Sequence, residues 1–368
     1  MKIKKYTFKS PLKNKVAIFD GCGEEILSKA VLKDIGYSVI YNRGEKVYLH
    51  PKIIIIMMYL IVRGRTGLRL KLAYWISCLI VIKPSYVITF IDNYPPFYEL
   101  AKYYNSAQFF AIQNGIRLIP CIQGLDGPVT LFSYGKNEKD IFQQLNMKDI
   151  YVAPVGSIKA SYAMEIFKQN KMKYDICIVS DFCQSTDRRL DMPIWYEIAK
   201  TVYENLSHYL KDKPHLTCVI AGRGGKQSDY EKVFFQKYFD LKSNQFTYIK
   251  NNFLSTYQNI LSSHVTVVAI SSIGREALSM NRKVLYCNHL MDKTCVTTPV
   301  KGQTQISFDE LIINGLDKET FKNRMDELLK IPVEKYLENT RKQRHYLNAY
   351  TPEKPSHQLV REAIMYCF

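Results

Sequence analysis

VTVVAISSIGREALSMNRKVLYC, residues 265–287, decides the fold. Val265 to Ile270, apolar but for Thr266, run straight into Ser271-Ser272. A helical stretch follows from about Gly274 to Met280, and a second apolar run begins at Lys283. Continuous apolar strands read as buried on both faces, which is the condition of a parallel sheet. The order strand, helix, strand is the βαβ unit that such sheets are built from.

The same grammar extends in both directions. Toward the N-terminus, strands are predicted at Lys15–Asp20, Tyr37–Tyr41, Tyr86–Ile91, Gln108–Ile112 and Asp149–Pro154. After a lysine-rich stretch at 158–173 it restarts, with strands at Tyr174–Ser180, Leu216–Ala221 and Phe246–Ile249. Helices are expected at 193–210, 229–239 and 253–262, and Pro95-Pro96 suits the first turn of a helix reaching about Asn105. Residues 116–148 are poorly periodic. The chain therefore reads as α/β, with two Rossmann-like doubly wound domains. We expect an N-terminal domain over 1–157, a linker over 158–173, a second domain over 174–316, and helices over 317–368 that pack back on the first. At 368 residues with 47% hydrophobic content there is material for two cores, and long disordered stretches are not expected.

Charge is unevenly spread. Residues 1–120 carry 18 Lys and Arg against 7 Asp and Glu, out of 51 against 34 in the whole chain. Such asymmetry suggests an anionic partner for the N-terminal half, whether membrane lipid, a lipid diphosphate acceptor or nucleic acid, with a lysine-rich surface as the ordinary alternative. Dense Lys/Arg blocks with interleaved aromatics are missing, so nucleic acid is not expected. Nine cysteines occur without a CxxC pair, which points to a reducing, cytoplasmic setting and away from a disulfide framework or a zinc site. The N-terminal MKIKKYTFKSPLKNK has positive charge without an apolar run of signal-peptide length. Ile53–Val62 and Leu72–Ile82 are apolar runs that fall short of the roughly 20 residues a spanning helix needs. They read as core or surface-seeking helices, the first of them with some strand character. A basic, apolar lobe resting on the inner face of the membrane is the functional variant.

Chemistry is expected where strands end. Ser271, Ser272 and Gly274 deliver hydroxyls and free backbone N–H groups to a helix start, a setting for a phosphate or diphosphate. Glu276, one turn in, is placed to accept ribose hydroxyls. Gly222 and Arg223 open a second loop, Gly222-Arg223-Gly224-Gly225-Lys226, where glycines admit a phosphate and the cations neutralise it. It is not a Walker loop, because the GxxxxGK[ST] order is absent. Gly21-Cys22-Gly23 lacks the third glycine of a dinucleotide fingerprint. Asp181 ends the first strand of the second half and could serve as nucleophile or electrostatic stabiliser; Asp187, Arg188 and Arg189 follow closely. In the first half, Asp92 and Asn93 end one strand, and Gln113, Asn114 and Arg117 end the next. Asp92 is a second catalytic candidate, and Asn93, Gln113, Asn114 and Arg117 are candidates to hold the acceptor. The seven histidines are scattered, and neither HExxH nor a DxD pair is found, so no metal and no cofactor are expected. Each of these groups has an ordinary alternative as a cap or brace of a strand end.

The segment 271–285, with its small-residue turn before a helix reading EAL, resembles the donor-binding segment of GT-B glycosyltransferases. The pattern FIDN…IQNGIR over 85–120 resembles bacterial surface-carbohydrate proteins of capsule and lipopolysaccharide biosynthesis and, more distantly, Kdo transferases. That resemblance implies two domains facing a cleft, crossing C-terminal helices, and transfer of a sugar from a nucleotide-sugar donor to a glycan or lipid-linked acceptor without a metal. Where CMP-sugar transferases often carry a His-Pro pair, the comparable place here holds none. A sugar-nucleotide epimerase and a basic membrane-surface or nucleic-acid binding protein remain the alternatives.

Overall fold

The structure is a computed structural model. It describes residues 5–43, 45–63, 69–117, 119–182, 192–224, 228–269, 271–287, 310–311, 313, 317–351 and 353–365. Two compact units divide the chain. The first comprises 1–134, 138–155 and 353–368; the second comprises 135–137 and 156–352.

In the first unit the strands are β1 (Tyr6–Thr7), β2 (Val16–Phe19), β3 (Tyr37–Ile40), β4 (Val47–Tyr48), β5 (Tyr86–Thr89), β6 (Gln108–Ile112), β7 (Val129–Ser133) and β8 (Ile150–Pro154). Six of them form one parallel sheet in the order β3-β2-β5-β6-β7-β8, while β1 and β4 make a separate parallel pair. Every residue of β2 and β5 is buried, as the apolar runs require of central strands. Phe19 anchors an aromatic core, its ring 5.0 Å from Trp75 and 5.4 Å from Phe97. Pro95 opens the helix Pro95–Tyr103 as expected, since its missing N–H falls where a helix has no internal acceptor. Both apolar runs are helical, Pro51–Val62 and Leu70–Ile82. The poorly periodic 116–148 holds β7 and the helix Lys136–Gln144.

The second unit holds β9 (Tyr174–Val179), β10 (Cys218–Ala221), β11 (Phe246–Ile249), β12 (Ser263–Val268) and β13 (Lys283–Tyr286). They form a parallel sheet in the order β11-β10-β9-β12-β13. The chain moves outward from β9 to β11, then returns to β9's other side with β12. The strand order thus reverses between β9 and β12, the point where doubly wound sheets open a crevice.

Two expected boundaries differ. Residues 158–166 are not linker but the helix Ile158–Ile166, capped by Ser157, whose Oγ accepts from the Ala160 N–H at 3.2 Å. The helices Lys318–Lys330, Val333–Asn339 and Arg341–Leu347 belong to the second unit, and only 353–368 returns to the first. The reason is polar bonding to β13 and its neighbours. Buried Lys283 donates to the carbonyls of Leu328 at 2.6 Å and Ile331 at 2.7 Å, closing the end of one helix. The Tyr336 hydroxyl donates to the Val284 carbonyl and accepts from the Val284 N–H, both at 3.0 Å. Arg344 donates to the Leu278 carbonyl at 2.8 Å. In the first unit, Arg361 of helix Ser356–Met365 donates to the Lys33 carbonyl at 2.8 Å.

Tyr336→Phe keeps the ring and removes both bonds to β13. Two buried backbone groups lose their partner, at a cost of about 2 kcal/mol. Urea unfolding should show a lower midpoint with an unchanged slope.

Candidate functional site

In the second unit the register places Ile178 of β9 opposite Val267 of β12, and Val179 opposite Ala221 of β10. Asp181, Arg223 and Ser271-Ser272 follow these strands within a few residues, so all lie beyond the same edge of one sheet. They flank the reversal between β9 and β12, with Arg223 one strand further out.

A single carboxylate organises this edge. Glu231, fully buried on the helix Ser228–Phe235, accepts from the Ser180 hydroxyl just after β9. It accepts from the Arg223 N–H, 3.0 Å to each oxygen, just after β10. It also accepts from the Tyr248 hydroxyl of β11 at 2.9 Å. Three adjacent strand ends are therefore tied to one anion. Burial, then the bond to Glu231, pushes the Tyr248 phenol up. The exposed Arg223 side chain donates to the Phe182 carbonyl at 2.9 Å, crossing from the β10 loop to the β9 loop. Asp181 is half-buried, and its N–H donates to the Tyr203 hydroxyl at 2.7 Å. Burial pushes the Tyr203 phenol well up, with Asp181 adding to it. Gly222 admits the Tyr248 phenol, since a Cβ there would stand 2.6 Å from its oxygen.

On the β12 side of the reversal, Ser271 and Ser272 are half-buried at the start of the short helix Ile273–Ala277. Ser271 Oγ accepts from the Ile273 N–H at 3.4 Å. Gly274 and Glu276 face inward. Gly274 gives room to the Tyr286 ring, which a Cβ would meet at 2.7 Å. The Glu276 carboxylate accepts from the Ser157 hydroxyl and, at 3.0 Å, from Tyr257. It braces three helices, and it is 1% exposed. Burial, then Glu276, pushes the Tyr257 phenol well up. The Tyr286 phenol is also pushed well up, by burial first, while neighbouring Arg275 opposes and Glu276 and Asp181 add. Asp187, Arg188, Arg189, Gly225 and Lys226 lie outside the described residues.

The first-unit candidates meet in one network. Arg117 grips Asp92 in a fork, Nε to Oδ2 at 3.0 Å and Nη2 to Oδ1 at 2.6 Å. Burial pulls the Arg117 guanidinium down, but the charge and hydrogen bonds of Asp92 outweigh it and hold it above its usual value. Asn114 accepts from Arg117, donates to the Phe90 carbonyl, and its N–H reaches Asp92 at 3.4 Å. Gln113 donates to the Gly115 carbonyl and to Glu138 and accepts from the Tyr134 N–H at 2.6 Å. Asp92 and Gln113, both expected to meet ligand, have their polar atoms committed to bracing β5, β6 and β7. Asn93 is half-buried in the turn after β5, and Arg117 is partly exposed. Among the described residues, no group of three His, Cys, Asp or Glu side chains is placed to hold a metal ion.

Glu231, Tyr203, Tyr248, Ser157 and Tyr257 were not singled out from sequence. Their partners lie 8 to 119 residues away, and no spacing signals such pairs.

No protein-family model matches the chain, and no curated protein matches it in sequence. Solved structures do match in fold. UDP-GlcNAc 2-epimerase from Neisseria meningitidis bound to UDP-GlcNAc overlays with a TM-score of 0.55 at 13% identity, covering 95% of this chain and 98% of that one. The UDP-GlcNAc 2-epimerase from Methanocaldococcus jannaschii gives 0.52 at 14% identity, covering 95% and 99%. A variant of the wall teichoic acid polymerase TagF gives 0.51 at 11% identity, covering 97% and 90%. The chain has the GT-B fold, with two Rossmann-like domains.

Glu231→Ala leaves three donors without their acceptor and should destabilise by about 3 kcal/mol. Arg223→Ala, on an exposed side chain, should cost less than about 1 kcal/mol. Paired urea titrations check both; equal losses would contradict the assignment of Glu231 as the organiser.

Proposed function

We propose that the chain is a glycosyltransferase. It moves a sugar from a nucleotide-activated donor to a surface polysaccharide or lipid-linked glycan, without a metal. The observation that carries this reading is that Asp181, Arg223 and Ser271-Ser272 all follow strands at one edge of the second unit's sheet, around its strand-order reversal. A nucleotide diphosphate would lie there. The Ser271 and Ser272 hydroxyls and the Arg223 guanidinium would take its phosphate oxygens and stabilise the charge that develops on the leaving phosphate. Asp181 would face the sugar and stabilise positive charge at the anomeric carbon. Glu231 would fix the two loops that carry Arg223 and Asp181. Gly222, Gly274 and Glu276 would shape the site from beneath. In the first unit, Asn93 and Arg117 would meet the acceptor, with Asp92, Gln113 and Asn114 holding Arg117 and its loop in place.

GT-B neighbours support a nucleotide-sugar ligand, since UDP-GlcNAc and teichoic acid chemistry occur on that frame. Because several of those neighbours are UDP-GlcNAc 2-epimerases along nearly their whole length, epimerisation is the second reading. It would need acid and base groups on either face of the sugar. Among the described residues no histidine ends β9, β10 or β12.

Thermal unfolding with CMP, CDP, UDP, GDP and dTDP tests the ligand. A nucleotide at a hundredfold excess over its Kd adds about 2.7 kcal/mol to the folded state. We expect a selective rise in Tm for one base, lost in Ser272→Trp and reduced in Arg223→Ala. Flat curves across the panel with folded protein would overturn the reading. Conversion of the matching UDP-sugar or its counterpart to an epimer without any acceptor would select the second reaction instead.

A further inference from the structure

Past Lys52, the helix Pro51–Val62 is apolar around its whole circumference. Its inner side, at Ile53 and Leu60, is buried. Its outer side stands in solvent: Ile55 is 68% exposed, Met58 52%, Tyr59 52% and Val62 78%. These positions are three, four and seven apart, so they form one stripe. Leu70, first residue of the helix packed beside it, is 65% exposed. Single exposed apolar residues are ordinary, but a stripe of large ones implies a cover.

Charge decides what the cover is. Between Glu45 and Asp92 the sequence has seven Lys and Arg and no Asp or Glu. Lys52, Arg63, Arg69 and Lys71 are exposed at the ends of the two helices. The Arg63 guanidinium lies 5.0 Å from the Tyr59 ring centre, and Lys71 Nζ lies 5.1 Å from that of Trp75. Arg63 thus borders the apolar stripe, and Lys52, Arg69 and Lys71 stand exposed at the ends of the helix pair. A second copy of the same face would set like charges against each other. An anionic lipid surface satisfies both features, because apolar side chains enter the boundary between headgroups and acyl chains while Lys and Arg reach the phosphates. Twelve residues of helix span about 18 Å, too short to cross a hydrocarbon core of about 30 Å. Among the described residues no helix is long and apolar enough to cross.

We propose that the outer face of helix Pro51–Val62, with its flanking cations, docks the first unit in the interface of an anionic membrane, the helix lying in the membrane plane. This holds whichever reaction the second unit performs.

Co-sedimentation of the full chain with vesicles tests it, using phosphatidylcholine alone and equal parts phosphatidylcholine and phosphatidylglycerol. Binding should rise about tenfold or more with the anionic lipid and weaken with added salt. Ile55→Glu/Val62→Glu should abolish it with Tm unchanged, since both side chains are exposed. Lys52→Glu/Arg63→Glu should abolish the preference for anionic lipid. Wild-type protein that leaves both vesicle types in the supernatant, or a double variant that binds as wild type does, would overturn the proposal. Self-association lost in Ile55→Glu/Val62→Glu, without vesicle binding, would assign the face to a second copy instead.

Discussion

A parallel sheet sends every strand out at the same edge, and the backbone groups beyond that edge must still find partners. In both units buried carboxylates tie the segments beyond that edge together, through side-chain hydroxyls as well as backbone N–H groups. Glu231 takes the Ser180 hydroxyl, the Arg223 N–H and the Tyr248 hydroxyl, and so fixes how the ends of β9, β10 and β11 stand together. Glu276 does the same for the Ser157 and Tyr257 hydroxyls beneath the β12 loop. Asp92, gripped by Arg117, joins the loops after β5 and β6. A buried anion with several donors is stable where an unpaired one is not, so each loop's geometry is tied to its carboxylate.

The same arrangement divides labour at the proposed site. Groups held by these anions are committed to shape, while a ligand at the proposed site would meet the exposed Arg223 side chain and the half-buried Ser271 and Ser272. Arg223 illustrates both: its N–H is committed to Glu231, and its exposed guanidinium reaches across to the Phe182 carbonyl. A phosphate arriving there would meet a cation already positioned, with little reorganisation required. In the proposed reaction such preorganisation would come from Glu231, on a helix that itself need not touch substrate.

Much of the fold was legible in the sequence because parallel strands are apolar on both faces. Gln108–Ile112 and Phe246–Ile249 match their predicted bounds, and Tyr86, Tyr174 and Lys283 begin strands as expected. β7 escaped because its five residues sit between Pro128 and Tyr134 in a stretch with neither helical nor alternating period. The helices from 318 to 347 read correctly as helices, but their allegiance is set by Lys283, Tyr336 and Arg344, contacts that sequence spacing does not reveal. At the site, strand ends were readable and side-chain direction was not. Ser271 and Ser272 stand at the surface of the loop, whereas Glu276, five and four residues on, points into the interior because Tyr257 and Ser157 receive it there. Asp92 looked like an open carboxylate in the run Phe90-Ile91-Asp92-Asn93; its partner, 25 residues away, closes it.

Amide hydrogen exchange, with and without a saturating nucleotide, reports where in the chain the ligand acts. With the nucleotide at the proposed site, exchange slows at 180–182, 222–224 and 271–277, with the strands beneath unchanged. Protection confined to the loops after β5 and β6, or to the helix Pro51–Val62, would place the nucleotide in the first unit and overturn the proposed site.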